Sequence, residues 1–175
     1  MKKIFILFAV VGLVAFSSCT GDEGPQGPPG ENALIPQAFT IRNVNLVRIT
    51  ANNYEFTREF AQYIDGDLFD DETVLIYRQT DVTNSGAPVW QLLPKTTNFD
   101  NGDVADYFYD FSKEDFIISV IASFDLATEP SLINNQNFRV VISPSDLINT
   151  VNKNNYLEVM KAVNLKESQV KDIKL

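Results

Sequence analysis

The chain has 175 residues, a formal net charge of −9, one cysteine and no histidine. Without histidine it lacks the commonest general base, the commonest metal ligand and the usual relay of serine hydrolases. A lone cysteine permits no internal disulfide, and the excess of acidic residues disfavours nucleic acids and anionic membrane surfaces as partners.

The first 19 residues have the organisation of a secretion leader that ends in a lipidation site. Two lysines follow Met1, and the apolar run over residues 4–16 is shorter than the roughly 20 residues of a membrane-spanning helix. Ser17 and Ser18 then precede Cys19, and this segment resembles the lipobox of bacterial lipoproteins. The alternative is a simple secretory leader with a free thiol nearby.

The lipobox resemblance implies that Cys19 receives a diacylglycerol, that residues 1–18 are removed and that the new amino terminus is acylated. Several acyl chains give stable membrane anchoring where one does not. Loss of the two leader lysines takes the net charge from −9 to −11. We therefore expect an exported domain that is held to a membrane by lipid and folded by its core alone.

Residues 21–32 place glycine at every third position, in collagen register. A triple helix needs this pattern, but the register is lost at Ala33, and an extended spacer explains the same composition. Twelve residues in the polyproline conformation reach roughly 37 Å, which favours the spacer over a trimer. Asp22 and Glu23, close behind Cys19, resemble the surface-export signal of Bacteroidota-type lipoproteins.

From Phe39 onward, apolar and polar residues mostly alternate between turn signals, as in half-buried strands. About six to eight short strands without a long helical pattern favour an all-β fold, an antiparallel, Ig-like β-sandwich. The clearest strand segments are residues 54–60, 74–78, 90–92, 107–111, 116–124 and 138–142.

The densest acidic cluster comprises Asp65, Asp67, Asp70 and Asp71. Calcium takes six to eight oxygen ligands, and a flexible acidic turn can supply them, so these four aspartates are a possible calcium site. Their spacing does not match an EF-hand, and the alternative is a solvated turn between strands. The acidic turn at residues 100–103 is explained by a hairpin alone.

Four strand aromatics, Tyr77, Trp90, Tyr107 and Tyr109, could together form a platform for stacking sugar rings. Strand aromatics more often fill the core between sheets. Tyr107, Tyr109 and Phe111 lie opposite a face that carries aspartates, so we expect them to point inward.

Helical signals occur only near the C-terminus. Ser143 followed by Pro144 predicts an N-cap with a first-turn proline, and Asn155 with Glu158 predicts a capping box. Residues 167–174 place two apolar residues on one side of a third short helix. We expect these helices to cover an open end or edge of the sandwich.

The tether after the lipidated cysteine, together with residues 73–78, 89–94, 137–142 and 156–161, resembles an uncharacterised Bacteroidota family of collagen-like lipoproteins. The resemblance covers nearly the whole chain. It implies anchoring and a β fold, but no activity.

The sequence thus predicts a signal peptide (1–18), a lipidated cysteine with its tether (19–33) and a β-sandwich domain with a C-terminal helical segment (34–175). We predict an outer-membrane protein at the cell surface, whose domain has a non-catalytic binding or structural role. Its expected partners are the membrane, through the lipid anchor, and a glycan or a protein. The alternatives are a calcium-assisted glycan- or protein-binding module and a glycoside hydrolase that uses paired carboxylates.

Overall fold

The structure is a computed structural model that describes residues 35–65 and 67–175. The predicted leader (1–18), Cys19 and the tether lie outside the described residues. From Ile35 onward the described residues belong to one compact unit. Within that part of the chain, no helix is long and apolar enough to cross a membrane.

Ten strands form two five-stranded sheets that pack together as a sandwich-like β fold. The first sheet has the order β10-β1-β9-β4-β5 and the second has the order β2-β3-β8-β7-β6. In chain order the strands are β1 (Gln37–Val44), β2 (Val47–Arg48), β3 (Asn53–Glu59), β4 (Glu72–Val82), β5 (Pro88–Leu92), β6 (Lys95–Asn98), β7 (Val104–Phe111), β8 (Asp115–Ala122), β9 (Gln136–Pro144) and β10 (Lys171–Lys174).

Strand pairing is antiparallel except at one edge of the first sheet, where β10 runs parallel to β1. The predicted all-antiparallel arrangement is therefore wrong for this pair. Ile41 lies opposite Ile173 in the parallel register. After β9 the chain passes through the C-terminal helices to the free edge of β1. There β10 runs antiparallel to β9 and therefore parallel to β1, which lies between them.

The main core lies between the two sheets and is built by the period-two alternation that the sequence shows. Alternate residues of each strand point to the same face of the sheet. A shift of the strand register by one residue would therefore move the apolar side chains from the core to the opposite face. The large side chains that are almost completely buried there include Phe39, Ile41, Phe60, Ile76, Tyr107, Phe116, Ile118 and Phe138.

The first sheet is buried on both faces. Val74 and Ile76 of β4 face the core between the sheets, whereas Leu75 and Tyr77 pack in a second cluster with the C-terminal helices. This explains why β4 and β9 are nearly continuous apolar runs rather than clean alternations. The sequence predicted that the short helices would cover an open end or edge of the sandwich. In the structure they cover the outer face of the first sheet.

Two short α-helices follow β9: α1 (Ser145–Ile148) and α2 (Tyr156–Ala162). The prediction of Ser143 as an N-cap is wrong, because Ser143 is still in β9, fully buried, and α1 has no side-chain cap. The N-cap of α2 is confirmed, because the Glu158 backbone N–H donates to Asn155 Oδ1 (3.4 Å). The full capping box is not formed: the Glu158 carboxylate accepts from Asn155 Nδ2 (2.8 Å), and the Asn155 backbone N–H donates to the Asn152 carbonyl instead.

The predicted third helix over residues 167–174 is also wrong. A single 3₁₀ turn (Glu167–Gln169) leads into β10. Val170 packs in the outer cluster and Ile173 against the main core, so these two residues lie on opposite sides of the sheet instead of on one helix face. Pairing with β1 satisfies backbone groups that a helix would leave open at that edge.

Candidate functional site

A cleft of about 620 Å³ opens between the edge strand β5 and the segment that leads into α2. We call it the Trp90 cleft. Clefts of this size with apolar walls and a few polar groups are typical ligand sites. Its lining residues are Thr83, Ala87, Pro88, Val89, Trp90, Asn152, Asn154, Asn155, Tyr156, Leu157 and Glu167.

Trp90 and Tyr156 supply the aromatic surface of the cleft, with ring centroids 6.2 Å apart. Trp90 is only 9% exposed, and its Nε1 is buried without a hydrogen-bond partner among the described residues. An unsatisfied buried donor costs about 1–3 kcal/mol, and this atom is too buried for a ligand in the cleft to reach it. The aromatic surface of the indole is therefore the binding group that Trp90 offers.

The buried Arg139 packs against the rings of both Trp90 and Tyr156 and holds them in place. It lies on the outer face of the first sheet, in register with Thr40 and Tyr77, and is 4% exposed. Its Cζ lies 4.5 Å from the Trp90 ring centroid and 5.2 Å from that of Tyr156. Stacking of this kind stabilises the planar guanidinium and holds the rings in one arrangement.

The charge of Arg139 is neutralised inside this cluster. Its Nε donates to Thr40 Oγ1 at 3.0 Å, and Nη1 donates to the Tyr156 hydroxyl and to Glu167 Oε2, the latter at 2.6 Å. The Tyr156 hydroxyl in turn donates to Glu167 Oε1. Every charged group at the back of the cleft therefore has a partner, so the cleft presents aromatic surface rather than a free charge.

The phenols behind the cleft stay protonated at ordinary pH. Burial raises the pKa of Tyr77, whose hydroxyl donates to the Lys153 carbonyl at 2.7 Å. Burial also raises the pKa of Tyr156, and its hydrogen bond to Glu167 acts in the same direction while Arg139 opposes it. Both groups act as neutral hydrogen-bond donors, not as bases.

The rim of the cleft combines apolar and amide groups. Leu157 is 72% exposed and Val89 is 38% exposed, so both present hydrocarbon to solvent. Asn152 and Asn154 lie on the same rim, and the Asn154 side chain has no hydrogen-bond partner among the residues that the structure describes. This arrangement suits a ligand with an apolar face and polar edges, such as a sugar ring.

The four aromatic residues do not form a common sugar platform, because the two sheets divide them; core packing, the favoured alternative, is found for Tyr77 and Tyr107. Tyr107 is 1% exposed and, with the half-buried Tyr109, packs between the sheets; Tyr77 is fully buried on the outer face of the first sheet. Only Trp90 reaches the cleft. The inward direction predicted for Tyr107 is confirmed, whereas Phe111, at the end of β7, is 42% exposed.

The four aspartates of the predicted calcium site have different surroundings, and all four are exposed. Asp70 forms an ion pair with Lys113 at 2.5 Å, and the Asp71 carbonyl accepts a hydrogen bond from the Ser145 backbone. Asp67 lines an open cleft of about 300 Å³ with Glu59, Ala61, Glu114 and Asp115. Within residues 35–65 and 67–175, no three acidic side chains are arranged to hold a metal ion, and the calcium site stays a prediction.

Sequence reasoning missed Tyr156, Arg139 and Glu167 as members of the site. Tyr156 begins α2, Arg139 is in β9 and Glu167 begins the last 3₁₀ turn, so no local motif connects them. One signal was present: Arg139 interrupts an otherwise apolar strand between Phe138 and Val140. A charge at such a position is buried only when it is paired.

Comparison with known proteins finds no matching family model, no matching curated protein and no matching solved structure.

Proposed function

We propose that this chain is an outer-membrane lipoprotein, anchored through Cys19 and facing outward, whose β domain is a non-catalytic binding module. The leader, the lone cysteine and the glycine-repeat spacer support the anchoring. The chain that remains after leader removal has a net charge of −11, which supports partners other than nucleic acid. The two packed five-stranded sheets support our further proposal that the sandwich is of the Ig-like type.

The binding role is assigned to the Trp90 cleft. The observation that carries it is the indole of Trp90, which is held in place by Arg139 and lines an apolar cleft. A sugar ring would stack its apolar face on the aromatic surface and contact the amides of the rim. A glycan is therefore the ligand class that we propose.

The acid content of the cleft supports a role without catalysis. Glycoside hydrolysis uses two carboxyl groups about 5 to 9.5 Å apart. Among the residues that line the Trp90 cleft, Glu167 is the single acid, and both of its oxygens accept hydrogen bonds from Arg139 or Tyr156. A lone, engaged carboxylate favours binding over bond cleavage.

The test is a glycan-array screen of the full chain, followed by affinity measurements on any glycan retained. Substituting Leu for Trp90 keeps an apolar side chain but removes the stacking ring, and we expect a loss of affinity of about tenfold or more. Phe111→Leu is the matched control, since Phe111 is an exposed aromatic residue outside the cleft. Equal affinity in the two variants, or no glycan retained, would contradict the proposal.

Calcium assistance at Asp65, Asp67, Asp70 and Asp71 is the second candidate. Asp67 lines an acidic cleft with Glu59, Glu114 and Asp115, but no three acidic side chains of the described residues are already arranged around a cation position. Repeating the screen and a thermal melt with millimolar calcium tests it. A rise in Tm that Asp67→Asn abolishes would support the cation site; unchanged melting would leave the acidic cluster as solvated surface.

A further inference from the structure

A second, polar cleft lies between the C-terminal half of β4 and the turn that precedes β9. We call it the Arg78 cleft. It is open to solvent and has a volume of about 310 Å³. Its lining residues are Arg78, Gln79, Thr80, Asp81, Val82, Ser131, Asn135, Gln136 and Asn137.

Arg78 is held in one orientation from two sides. Its Nε donates to Gln136 Oε1 at 2.8 Å, and its Cζ lies 4.3 Å from the centroid of the Tyr107 ring. Gln136 is 6% exposed, and its Nε2 donates to the carbonyls of Ser131 and Asn134 at 2.7 and 2.6 Å. These bonds fix which way the Gln136 acceptor points, so the guanidinium is ordered before any ligand arrives.

The guanidinium is not neutralised by an acid. In the described part of the chain, the three ion pairs use Arg42, Lys113 and Arg139, so Arg78 has no acidic partner. The guanidinium also interacts with the Tyr107 hydroxyl and lowers the pKa of that phenol, but a protonated phenol adds no negative charge. Arginine stays charged at any ordinary pH, and its paired N–H groups match the two oxygens of a carboxylate. The half-buried cation is therefore both preoriented and available.

The rest of the lining indicates the kind of anion. Asp81 lies in the same cleft, with Oδ1 accepting the Val82 backbone N–H at 2.7 Å, and the domain as a whole is acidic. One cation in such surroundings suits a single negative charge better than a phosphate dianion. Val82 is the one large apolar residue in the lining, so hydroxyl-rich ligands fit better than peptides with apolar side chains.

We infer that the Arg78 cleft binds the carboxylate of an acidic sugar, such as a uronic acid, through the terminal amino groups of Arg78. The side chains of Thr80 and Asn135 lie on the lining and supply polar contacts for the sugar hydroxyls. This site is separate from the Trp90 cleft and stands on its own observations. It gives the domain a means of recognising charged residues in a glycan.

The experiment is calorimetric titration of the full chain with D-glucuronate, with glucose as the uncharged sugar and with N-acetyl-alanyl-alanine as a carboxylate on a peptide. We expect saturable binding of glucuronate that is tighter than the binding of glucose or of the peptide. Arg78→Gln should weaken glucuronate binding at least tenfold, whereas Arg48→Gln, which changes the net charge equally at an exposed position, should not.

Arg78→Lys keeps the charge but loses the planar fork and the stacking on Tyr107, and we expect it to fold and to bind glucuronate more weakly than the native chain. The preference for glucuronate over glucose should persist in Trp90→Leu, which separates this inference from the function proposed for the Trp90 cleft. Three results would overturn it: equal binding of glucose and glucuronate, equal loss in the Arg78→Gln and Arg48→Gln variants, or a peptide that binds as tightly as glucuronate.

Discussion

Single tyrosines show how burial changes the chemistry of a side chain in this domain. Tyr107 is 1% exposed, and its hydroxyl donates to the Leu132 carbonyl. Burial raises the pKa of Tyr107 to about 12, and the nearby Arg78 partly opposes this shift. Alternation along β7 was enough to predict that Tyr107 points inward, but the position of Arg78 over its ring depends on how the two sheets pack.

This pKa predicts a loss of stability in alkali. The unfolded phenol ionises near its ordinary pKa of about 10, while the folded one stays protonated up to about 12, so rising pH favours the unfolded state within that window. A two-unit difference corresponds to about 2–3 kcal/mol of unfolding free energy. Urea denaturation of the native chain and of Tyr107→Phe, at pH 8 and at several values above 10, measures it.

We expect the unfolding free energy of the Tyr107→Phe variant to fall less steeply with pH than that of the native chain, although it starts lower because the hydrogen bond to Leu132 is lost. Parallel slopes for the two proteins would show that Tyr107 does not contribute to the alkaline transition.

Among the elements, α2 positions the candidate site, because Tyr156 is its first residue and the cleft lies beside its N-terminus. A seven-residue helix is too short to be stable alone. It depends on the Asn155 cap and on the burial of Tyr156, Val159 and Met160 against the first sheet.

Asn155→Ala should therefore destabilise the domain by about 1 kcal/mol, the usual contribution of an N-cap side chain. The neighbouring Asn154 is the matched control, since its exposed side chain makes no hydrogen bond within the described residues, and Asn154→Ala should change stability little. Thermal or urea unfolding of both variants gives the comparison. Equal destabilisation would mean that the capping bond does not hold the helix.

Elements were predictable where local chemistry decides them. The alternation of β3, β7 and β8 and the Asn155 N-cap of α2 are visible in the sequence and are confirmed. The third helix was wrong, since the open edge of β1 pairs with residues 171–174 and makes them a strand. Backbone hydrogen bonds to a distant segment outweigh a weak helical pattern.

For the whole molecule, the anchoring prediction rests on Cys19. We expect palmitate labelling of the full chain in a bacterium that processes lipoproteins, and complete loss of label in Cys19→Ala because no thiol remains to be modified. Ser18→Ala keeps a small residue before the cysteine and serves as the control, with labelling retained. Labelled Cys19→Ala, or an unlabelled native chain, would contradict the lipid anchor.

The sequence by itself determined the class of the fold and excluded histidine-dependent chemistry, because both depend on composition and on the alternation of neighbouring residues. The tertiary structure decided which aromatic residues are available. Tyr77, Trp90 and Tyr107 have similar sequence patterns, but Tyr107 packs between the sheets while Tyr77 and Trp90 pack on the outer face of the first sheet, and of the three only Trp90 also lines the cleft. It also decided the pairing of Arg139 with Glu167 and the position of Arg78 beside Gln136, since each contact joins segments far apart in the chain.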